Sequence, residues 1–400
     1  MNNFNFIITI ILFVSVALFL AALPLIISQM NKNKHKKFLK HIALEKIPAE
    51  FEKTYTELYN DHISKLEKIR KSVMERTIVQ FILYVFIIIG YYSFKLDLKE
   101  SSIINISILS IFLLSIILSA IITPKNYKFQ KNYKTLYKKE IVANFIKLIN
   151  NQLTYIPNNS DSSSLKISQI FKNIKNLQIY DLEKTSKNSL LEKISKNGLV
   201  EDVFKNSQMA EIYGNVHFDN KSFNQLNADD YIEGYLDEHV FIKMCDLDVG
   251  YYSNGRSNYT ETIFKGLFSQ TTCTKDIGTY IKISKHKINL LHKDDSVLMD
   301  NQDFEKHFDI YSENKIVAMQ LLTSDTMELL LDFYNKYSLE YEIVIKNNSV
   351  YMRFFTGPMF EPKVFGSSMD KQLLFIYYCV LKFVLDVTQK FNKTMNELEI

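Results

Sequence analysis

The chain has 400 residues, a formal net charge of +4 and a hydrophobic fraction of 47%. These values fit a globular protein, and the length leaves room for a membrane anchor with one or two soluble domains. The three cysteines, Cys245, Cys273 and Cys379, are far apart and odd in number, which argues against a disulfide framework and against a cysteine-based metal site. We therefore expect free thiols in a reducing compartment.

The first predicted element is an N-terminal transmembrane helix within residues 1–30. Residues 4–28 form an apolar run without a charged side chain, and the run is long enough to cross a bilayer. A cleaved signal peptide is the alternative interpretation. The residues before the run include no Lys or Arg, and the run is longer than a signal-peptide core, so a retained helix is favoured.

Residues 78–123 are predicted to form a transmembrane hairpin. Two further apolar runs, 78–94 and 103–123, are separated by a short stretch that suffices for a turn but not for a domain. Gln80 and Asn105 are polar side chains within these runs, and hydrogen bonding between helices accounts for them.

Lysines are concentrated directly after the first and third apolar runs. The positive-inside rule then places the N-terminus outside the cell, residues 31–77 inside, and everything after residue 124 in the cytoplasm. These lysines have two possible roles. They set the topology alone, or they also bind anionic lipid headgroups. The candidate lipid-facing residues are Lys32, Lys34, Lys36, Lys37, Lys125, Lys128, Lys131 and Lys134.

Residues 31–77 are predicted to begin as a basic cytoplasmic segment and to continue as an amphipathic stalk helix. Apolar side chains recur at steps of three and four from Phe51 onward, which indicates one helical stripe. A continuous helix over 49–94 would be about 70 Å long. Residues 124–155 repeat the pattern and predict a second, juxtamembrane stalk helix, with Pro124 as a kink point.

The remainder of the chain is predicted to comprise a polar variable insert, 156–210, and a cytoplasmic α+β domain, 211–400. Whether residues 156–400 form one domain or two stays open. β-Branched and aromatic residues predict strands at 239–252, 278–291 and 341–355. The last stretch is predicted to be a hairpin that turns at Asn347 and Asn348, since Asn tolerates positive φ.

Two helices are predicted in the α+β domain. Residues 323–337 carry a cap at Thr323, Ser324 or Asp325 and an apolar face. Residues 370–391 are nearly apolar, but lysines and aspartates interrupt them. We therefore predict a buried core helix rather than a fourth membrane span.

Three stretches, taken in order, resemble a known family: ETIFKGLF at 261–268, FEKHFDIYSENKIVAMQLLTSDTMELLLDFY at 304–334, and NNSVYMRFFTGPMFEP at 347–362. This order is similar to that of a bacterial membrane-protein family catalogued as domain of unknown function 3137. The resemblance extends over about 45–150 and 210–390. It implies a hairpin-anchored cytoplasmic domain in the bacterial inner membrane, and it implies no reaction.

The fold class expected is an α+β cytoplasmic domain on a membrane-spanning helical hairpin with a long helical stalk, preceded by the additional N-terminal transmembrane helix. Within the domain, Gly266 is interpreted as a turn or bulge that lets the neighbouring apolar side chains pack. This glycine is too isolated to predict a phosphate-binding loop.

The stretch FEKHFDIYSE, residues 304–313, holds the candidate metal ligands Glu305, His307 and Asp309. A metal site would need a further ligand, such as His286 or His292, but the spacing matches no established metal motif. The alternative is structural, with Phe304 and Phe308 in a core and the polar side chains in solvent. The structural alternative is favoured.

The function predicted is membrane-anchored cytoplasmic binding, as an adaptor or sensor. The alternative is a membrane-bound metal-dependent enzyme that uses residues 304–313. We expect no cofactor and no nucleic-acid partner, because no recognition motif is present. The expected partners are the lipid bilayer and a protein in the membrane or cytoplasm, and a homo-oligomer stays open.

Overall fold

The computed structural model describes residues 47–95, 102–157, 225–254, 258–286 and 296–398. Four predicted features lie outside these residues: the N-terminal transmembrane helix, the lysines from Lys32 to Lys37, His292, and the polar insert after residue 157. The chain divides into two compact units. The helix-pair unit comprises residues up to Ile141 together with Pro362–Leu374, and the sheet unit comprises Val142–Glu361 together with Phe375–Ile400.

The helix-pair unit contains two long antiparallel helices, α1 (Ala49–Lys95) and α2 (Ser102–Tyr137). A π-helical segment, Lys138–Val142, follows α2. Helix α1 has 47 residues, which confirms the predicted uninterrupted helix of about 70 Å. Pro124 lies inside α2 and does not end it.

The predicted stripe of α1 is the buried face of that helix. Phe51, Leu58, Leu66 and Val73 are each no more than 2% exposed. The steps of seven and eight residues between them return to the same side of a helix, so the sequence period and the burial agree.

The sheet unit is built on a nine-stranded sheet in the order β1-β2-β3-β4-β9-β8-β5-β7-β6. Each pair of neighbouring strands is antiparallel. The strands are β1 (Leu153–Ile156), β2 (Gln225–Tyr235), β3 (Phe241–Asn254), β4 (Asn258–Thr272), β5 (Tyr280–Lys285), β6 (Ser296–Val297), β7 (Phe308–Ser312), β8 (Tyr341–Lys346) and β9 (Ser349–Phe354).

Helices and sheet together make the sheet unit α+β, as predicted. The helices are α3 (Ala143–Ile149), α4 (Gln302–Glu305), α5 (Lys315–Leu321), α6 (Ser324–Tyr337) and α7 (Lys371–Glu397). Helix α7 begins in the helix-pair unit and belongs to the sheet unit from Phe375 onward. The predicted stalk helix over 124–155 is wrong at its end, because the chain leaves the helix after Ile149 and forms strand β1.

The core of the sheet unit lies where α6 and α7 cover one face of the sheet. Phe333 of α6 stacks on Phe383 of α7 with ring centroids 3.8 Å apart. Both rings also contact Tyr341 of β8 and Phe354 of β9. This aromatic cluster accounts for the burial of α7, which was predicted to be a core helix.

The β8–β9 hairpin and the cap of α6 follow the predicted local chemistry. Asn347 has a φ of 56°, the left-handed conformation that a tight hairpin turn requires. Thr323 is the N-cap of α6, and its hydroxyl accepts a hydrogen bond from the Thr326 amide at 3.3 Å.

The interpretation of Gly266 as a turn or bulge is wrong. It lies inside strand β4, paired with Leu247 of β3, and its φ is +154°. A Cβ at this position would overlap the carbonyl oxygen of Phe354, at the end of strand β9. The glycine is therefore required by a close approach of two backbones within the sheet.

Candidate functional site

The helix-pair unit exposes an extended apolar surface, which we call the apolar band. Its side chains are 37–57% exposed. They are Ile78, Val79, Ile82, Tyr84, Phe86, Ile88, Tyr91, Leu109, Ile111, Leu113, Leu114, Ile116, Ile117, Leu118 and Ile121. A water-soluble surface rarely carries a contiguous patch of this extent, whereas a bilayer favours one.

Three helices in the described parts of the chain are long and apolar enough to cross a membrane: one within α1, one that includes most of α2, and α7. The most apolar stretch of α7 is 72% buried inside the protein, against 28% and 17% for the other two. Of these three helices, α1 and α2 expose their apolar stretches and α7 buries its own, which fits a membrane protein anchored by the helix pair.

A layer of polar side chains joins the two helices at one end of the apolar band. Asn126 is 1% exposed, and its amide donates to the Gln80 carbonyl oxygen at 2.5 Å. Gln80 donates to Tyr84 and Thr123 at 2.8 and 3.2 Å. Gln80 therefore has the interhelical hydrogen-bonding role predicted for it, which fixes the register of α1 against α2.

The predicted lipid-facing lysines of α2 lie beside this polar layer. Lys125, Lys128 and Lys131 are exposed, and Lys134 is half-buried. Two exposed aromatic residues, Tyr127 and Phe129, alternate with them. Aromatic and basic side chains together are typical of the boundary between lipid tails and headgroups.

The return segment, Pro362–Leu374, packs against the part of the helix pair beyond the apolar band. Arg70 of α1 is 5% exposed and donates to the Val364 carbonyl oxygen at 2.7 Å. Its Nε donates to Glu67 at 2.9 Å. Glu67 also accepts a hydrogen bond from the Ser368 hydroxyl at 3.0 Å. A buried guanidinium thus holds the return segment on α1.

Residues of α2 also hold the return segment. The hydroxyl of Tyr133, which is 1% exposed, donates to the Lys363 carbonyl oxygen at 3.0 Å. Within the segment, Lys363 pairs with Asp370 at 2.6 Å. Burial alone would raise the pKa of Asp370. Lys363 and the amides of Leu373 and Gln372 outweigh it and hold that pKa below its ordinary value.

Segment 304–313 buries its two phenylalanines as the structural alternative predicted, whereas Glu305, His307 and Asp309 are half-buried and not fully in solvent. Phe304 of α4 and Phe308 of β7 are buried, with ring centroids 4.9 Å apart. The ends of a short helix and a strand bring them together, so neither a pure helix nor a pure strand describes the segment.

The candidate ligands of this segment each have a separate neighbour. Glu305 accepts a hydrogen bond from the Met299 amide at 2.6 Å, and the ring of His307 lies 5.1 Å from that of Tyr334. Asp309 contacts Nδ1 of His286 at 2.6 Å. The structure thus brings His286 to Asp309, as a metal site there would require. The Glu305 carboxylate is instead bonded to the backbone amide of Met299.

A different carboxylate group meets the geometry of a cation site among the described residues. One oxygen each of Asp229, Asp230 and Glu361 lies within 4.8 Å of the others. The two aspartates occupy an irregular position in β2, where Asp230 has a φ of 56°. Carboxylate oxygens are ligands for hard cations such as Ca²⁺ or Mg²⁺.

The most buried member of this carboxylate group is held by a tyrosine. Asp230 is fully buried and accepts a hydrogen bond from the Tyr155 hydroxyl on β1. Burial and the neighbouring Asp230 carboxylate raise the pKa of Tyr155, so the phenol stays protonated and donates. Sequence reasoning missed the group: the pair of aspartates is visible, but Glu361 is distant in the chain.

A comparison with family models finds a match over about a third of the chain. Residues 262–393 match the model of the family described as "Protein of unknown function (DUF3137)", and we call these residues the DUF3137 domain. Over these residues the match confirms the resemblance read from the sequence, whereas residues 45–150 lie outside it. The match runs from β4 into α7 and includes Gly266, segment 304–313 and the return segment.

A comparison with solved structures finds a similarity to the crystal structure of the mycobacterial trehalose monomycolate transport factor A, TtfA. The match covers 44% of this chain and 75% of that chain, with 9% sequence identity and a TM-score of 0.27. No curated protein matches the chain.

Proposed function

We propose that the protein is a membrane-anchored binding protein, an adaptor or sensor, whose DUF3137 domain faces the cytoplasm. The observation that carries this proposal is the apolar band. Residues 102–123 of α2 form a charge-free helical stretch about 33 Å long, close to the thickness of a bilayer core. Anchoring by the helix pair follows from it.

The basic residues support the orientation. Lys125, Lys128 and Lys131 follow the end of the charge-free stretch, and Arg76 precedes the apolar part of α1. Because α1 and α2 are antiparallel, these four cations lie at the same end of the band. The positive-inside rule then favours a cytoplasmic location for that end, and with it for the sheet unit.

Orientation is tested with two introduced cysteines. Asp97→Cys lies in the predicted turn between the two spans, and Asn335→Cys lies on the exposed side of α6. We expect a membrane-impermeant maleimide to label the first variant in intact cells and the second only after permeabilisation. The wild-type cysteines are all buried and provide the unlabelled control. The reverse labelling pattern would contradict the proposed orientation.

The binding role is tested by photo-crosslinking of the full-length protein in its own cells. Ile316 is 69% exposed on α5 and is a suitable position for the photoreactive residue, with exposed Glu328 on α6 as the matched control. We expect position-dependent, stoichiometric crosslinks to a partner protein. Crosslinks to a second copy would assign the role to a homo-oligomer, and no crosslink from either position would count against an adaptor.

A further inference from the structure

Four exposed cations surround the helix pair at one end of the apolar band. Lys125, Lys128 and Lys131 belong to α2, and Arg76 belongs to α1. We call these four residues the basic collar. The other charged group on the exposed surface of α1 directly beside Arg76 is Glu75, so cations outnumber carboxylates at this level.

The height of the basic collar follows from hydrogen bonds across the helix pair. Asn126 bonds to Gln80, and Gln130 bonds to Thr77 at 3.1 Å. Lys128 therefore lies level with the first apolar residues of α1. Relative to Lys128, Lys125 lies about one helical turn, or 5 Å, nearer the middle of the band. Lys131 lies about the same distance farther from the middle.

The direction of the α2 side chains favours contact with headgroups. Side chains lean toward the N-terminus of their own helix. The N-terminus of α2 is at the end of the helix pair remote from the collar, because α2 begins at Ser102 and the collar lysines lie beyond residue 124. Lys131, the lysine farthest from the middle of the band, therefore leans back toward the end of the apolar band, where the headgroup layer of an enclosing bilayer begins.

An aromatic platform holds Arg76 in the same layer. Its guanidinium carbon lies 4.0 Å from the centre of the Phe129 ring on α2. This cation–π contact joins the two helices and leaves Arg76 exposed. Tyr127, which is 69% exposed, adds an amphipathic ring of the kind that anchors helices at the interface.

We propose that the basic collar binds the phosphate groups of anionic phospholipids and enriches them around the helix pair. The proposal rests on the proposed function, because it requires the apolar band to be immersed in a bilayer. It goes further by assigning the lysines a lipid preference in addition to a role in topology. A lysine near an anionic membrane surface contributes about a fivefold gain in partition.

The test uses the full-length protein reconstituted into nanodiscs that contain phosphatidylcholine and phosphatidylglycerol. Native mass spectrometry of the released protein then measures the ratio of the two retained lipids. We expect phosphatidylglycerol to be enriched on the wild-type protein, and the enrichment to fall as the salt concentration rises. The variant Lys125→Gln/Lys128→Gln/Lys131→Gln should lose enrichment by about fivefold for each lysine removed.

The matched control removes the same number of positive charges from the sheet unit, in Lys315→Gln/Lys382→Gln/Lys393→Gln, at three exposed positions. It should retain the wild-type lipid ratio. An unchanged ratio in the collar variant would overturn the proposal and leave the lysines with a topological role. Absence of enrichment on the wild-type protein would overturn it regardless of how the variant behaves.

Failure of the proposed function gives a different result. A wild-type protein that does not enter the nanodiscs would contradict membrane anchoring itself. A protein that enters them but retains the two lipids in the ratio supplied would contradict the basic collar alone.

Discussion

Helices α2 and α7 are both apolar enough to cross a membrane, yet they occupy opposite environments. The most apolar stretch of the helix that includes α2 is 17% buried inside the protein. The most apolar stretch of α7 is 72% buried. Helix α7 lies against a sheet and contributes Phe383 to an aromatic cluster. The comparison shows that overall apolarity alone does not determine the environment of a helix. The environment also depends on whether another apolar surface of the protein, such as the sheet beside α7, covers the helix.

The distribution of charge distinguishes the two helices. Residues 102–123 of α2 include no charged side chain. Helix α7 carries charges at intervals, and they pair on its outer side: Lys382 with Asp386 at 3.3 Å, and Lys390 with Asp325 at 3.1 Å. A helix with one charged stripe buries its apolar face in a core, whereas a helix that is apolar all round lies inside a large protein core or spans a membrane.

The largest expected effect is on the stability of the sheet unit, when removal of a buried ring is compared with removal of an exposed apolar side chain. Phe383→Ala on α7 should destabilise the sheet unit by about 3–5 kcal/mol, because it empties the centre of the aromatic cluster. Leu114→Ala on α2, where Leu114 is 56% exposed, should change the stability of the sheet unit by less than about 0.5 kcal/mol.

The rate of thiol labelling under native conditions measures this effect in the sheet unit alone. All three cysteines are buried there, and the sequence has no other cysteine. Equal labelling rates for the two variants would contradict the different surroundings of α7 and α2.

The next effect tests the helix pair. Arg70→Met should free the return segment, because it leaves the Val364 carbonyl oxygen and part of the Glu67 carboxylate without a donor. We expect a loss of about 2 kcal/mol, less than for a fully buried ion pair since the Glu67 side chain is 25% exposed.

Hydrogen exchange of the amides of residues 364–371 measures the loss, with an expected acceleration of about 30-fold. Arg76→Met, an exposed arginine on the same helix, is the matched control and should leave these rates unchanged. Similar acceleration in both variants would show that any change in α1 loosens the segment.

A third prediction concerns the edge of the sheet. Tyr155→Phe removes the hydroxyl that donates to the fully buried Asp230. Loss of this donor should cost about 1–3 kcal/mol, and the cost should appear as faster exchange of the β1 amides. Tyr235→Phe, a tyrosine of β2 that is 52% exposed, should have no such effect. If both variants behave alike, Asp230 does not depend on Tyr155.

The smallest effect is a pH dependence in the helix-pair unit. The pKa of Asp370 is held below its ordinary value, mainly by Lys363 acting against burial. A lowered pKa stabilises the folded protein above the unfolded pKa, near 4, and this contribution is lost as the pH falls through the lower folded value.

Asp370→Asn should therefore flatten the decrease in stability between about pH 4 and pH 3, by no more than about 1 kcal/mol. Exchange rates of the return segment in wild-type and variant protein, followed as the pH is lowered, measure it. Parallel pH profiles would contradict the pairing of Asp370 with Lys363.

The periodic parts of the structure were predictable from the sequence. Helix α1 follows from the apolar stripe that begins at Phe51, and the β8–β9 hairpin follows from the asparagine turn at Asn347. Both features depend on residues that are neighbours in the chain, where local conformation and side-chain spacing carry the information.

The missed features depend on contacts between distant residues. Gly266 is set by the Phe354 carbonyl oxygen, and the carboxylate group needs Glu361 beside Asp229. The return segment was not predicted, because nothing near it in the sequence indicates that Arg70 holds it. Such contacts follow from topology, which no local pattern contains.

The return segment has a consequence for the order in which the chain is made. The contact of Tyr133 with Lys363 joins residues 230 positions apart, and that of Arg70 with Val364 joins residues 294 positions apart. A ribosome that adds 5–20 residues per second needs roughly 10–50 s to translate the chain from Tyr133 to Lys363. During that interval α1 and α2 have already been made, whereas the return segment that binds them has not. With the proposed membrane anchoring, biogenesis has two stages, because the helix pair inserts before the return segment has been made.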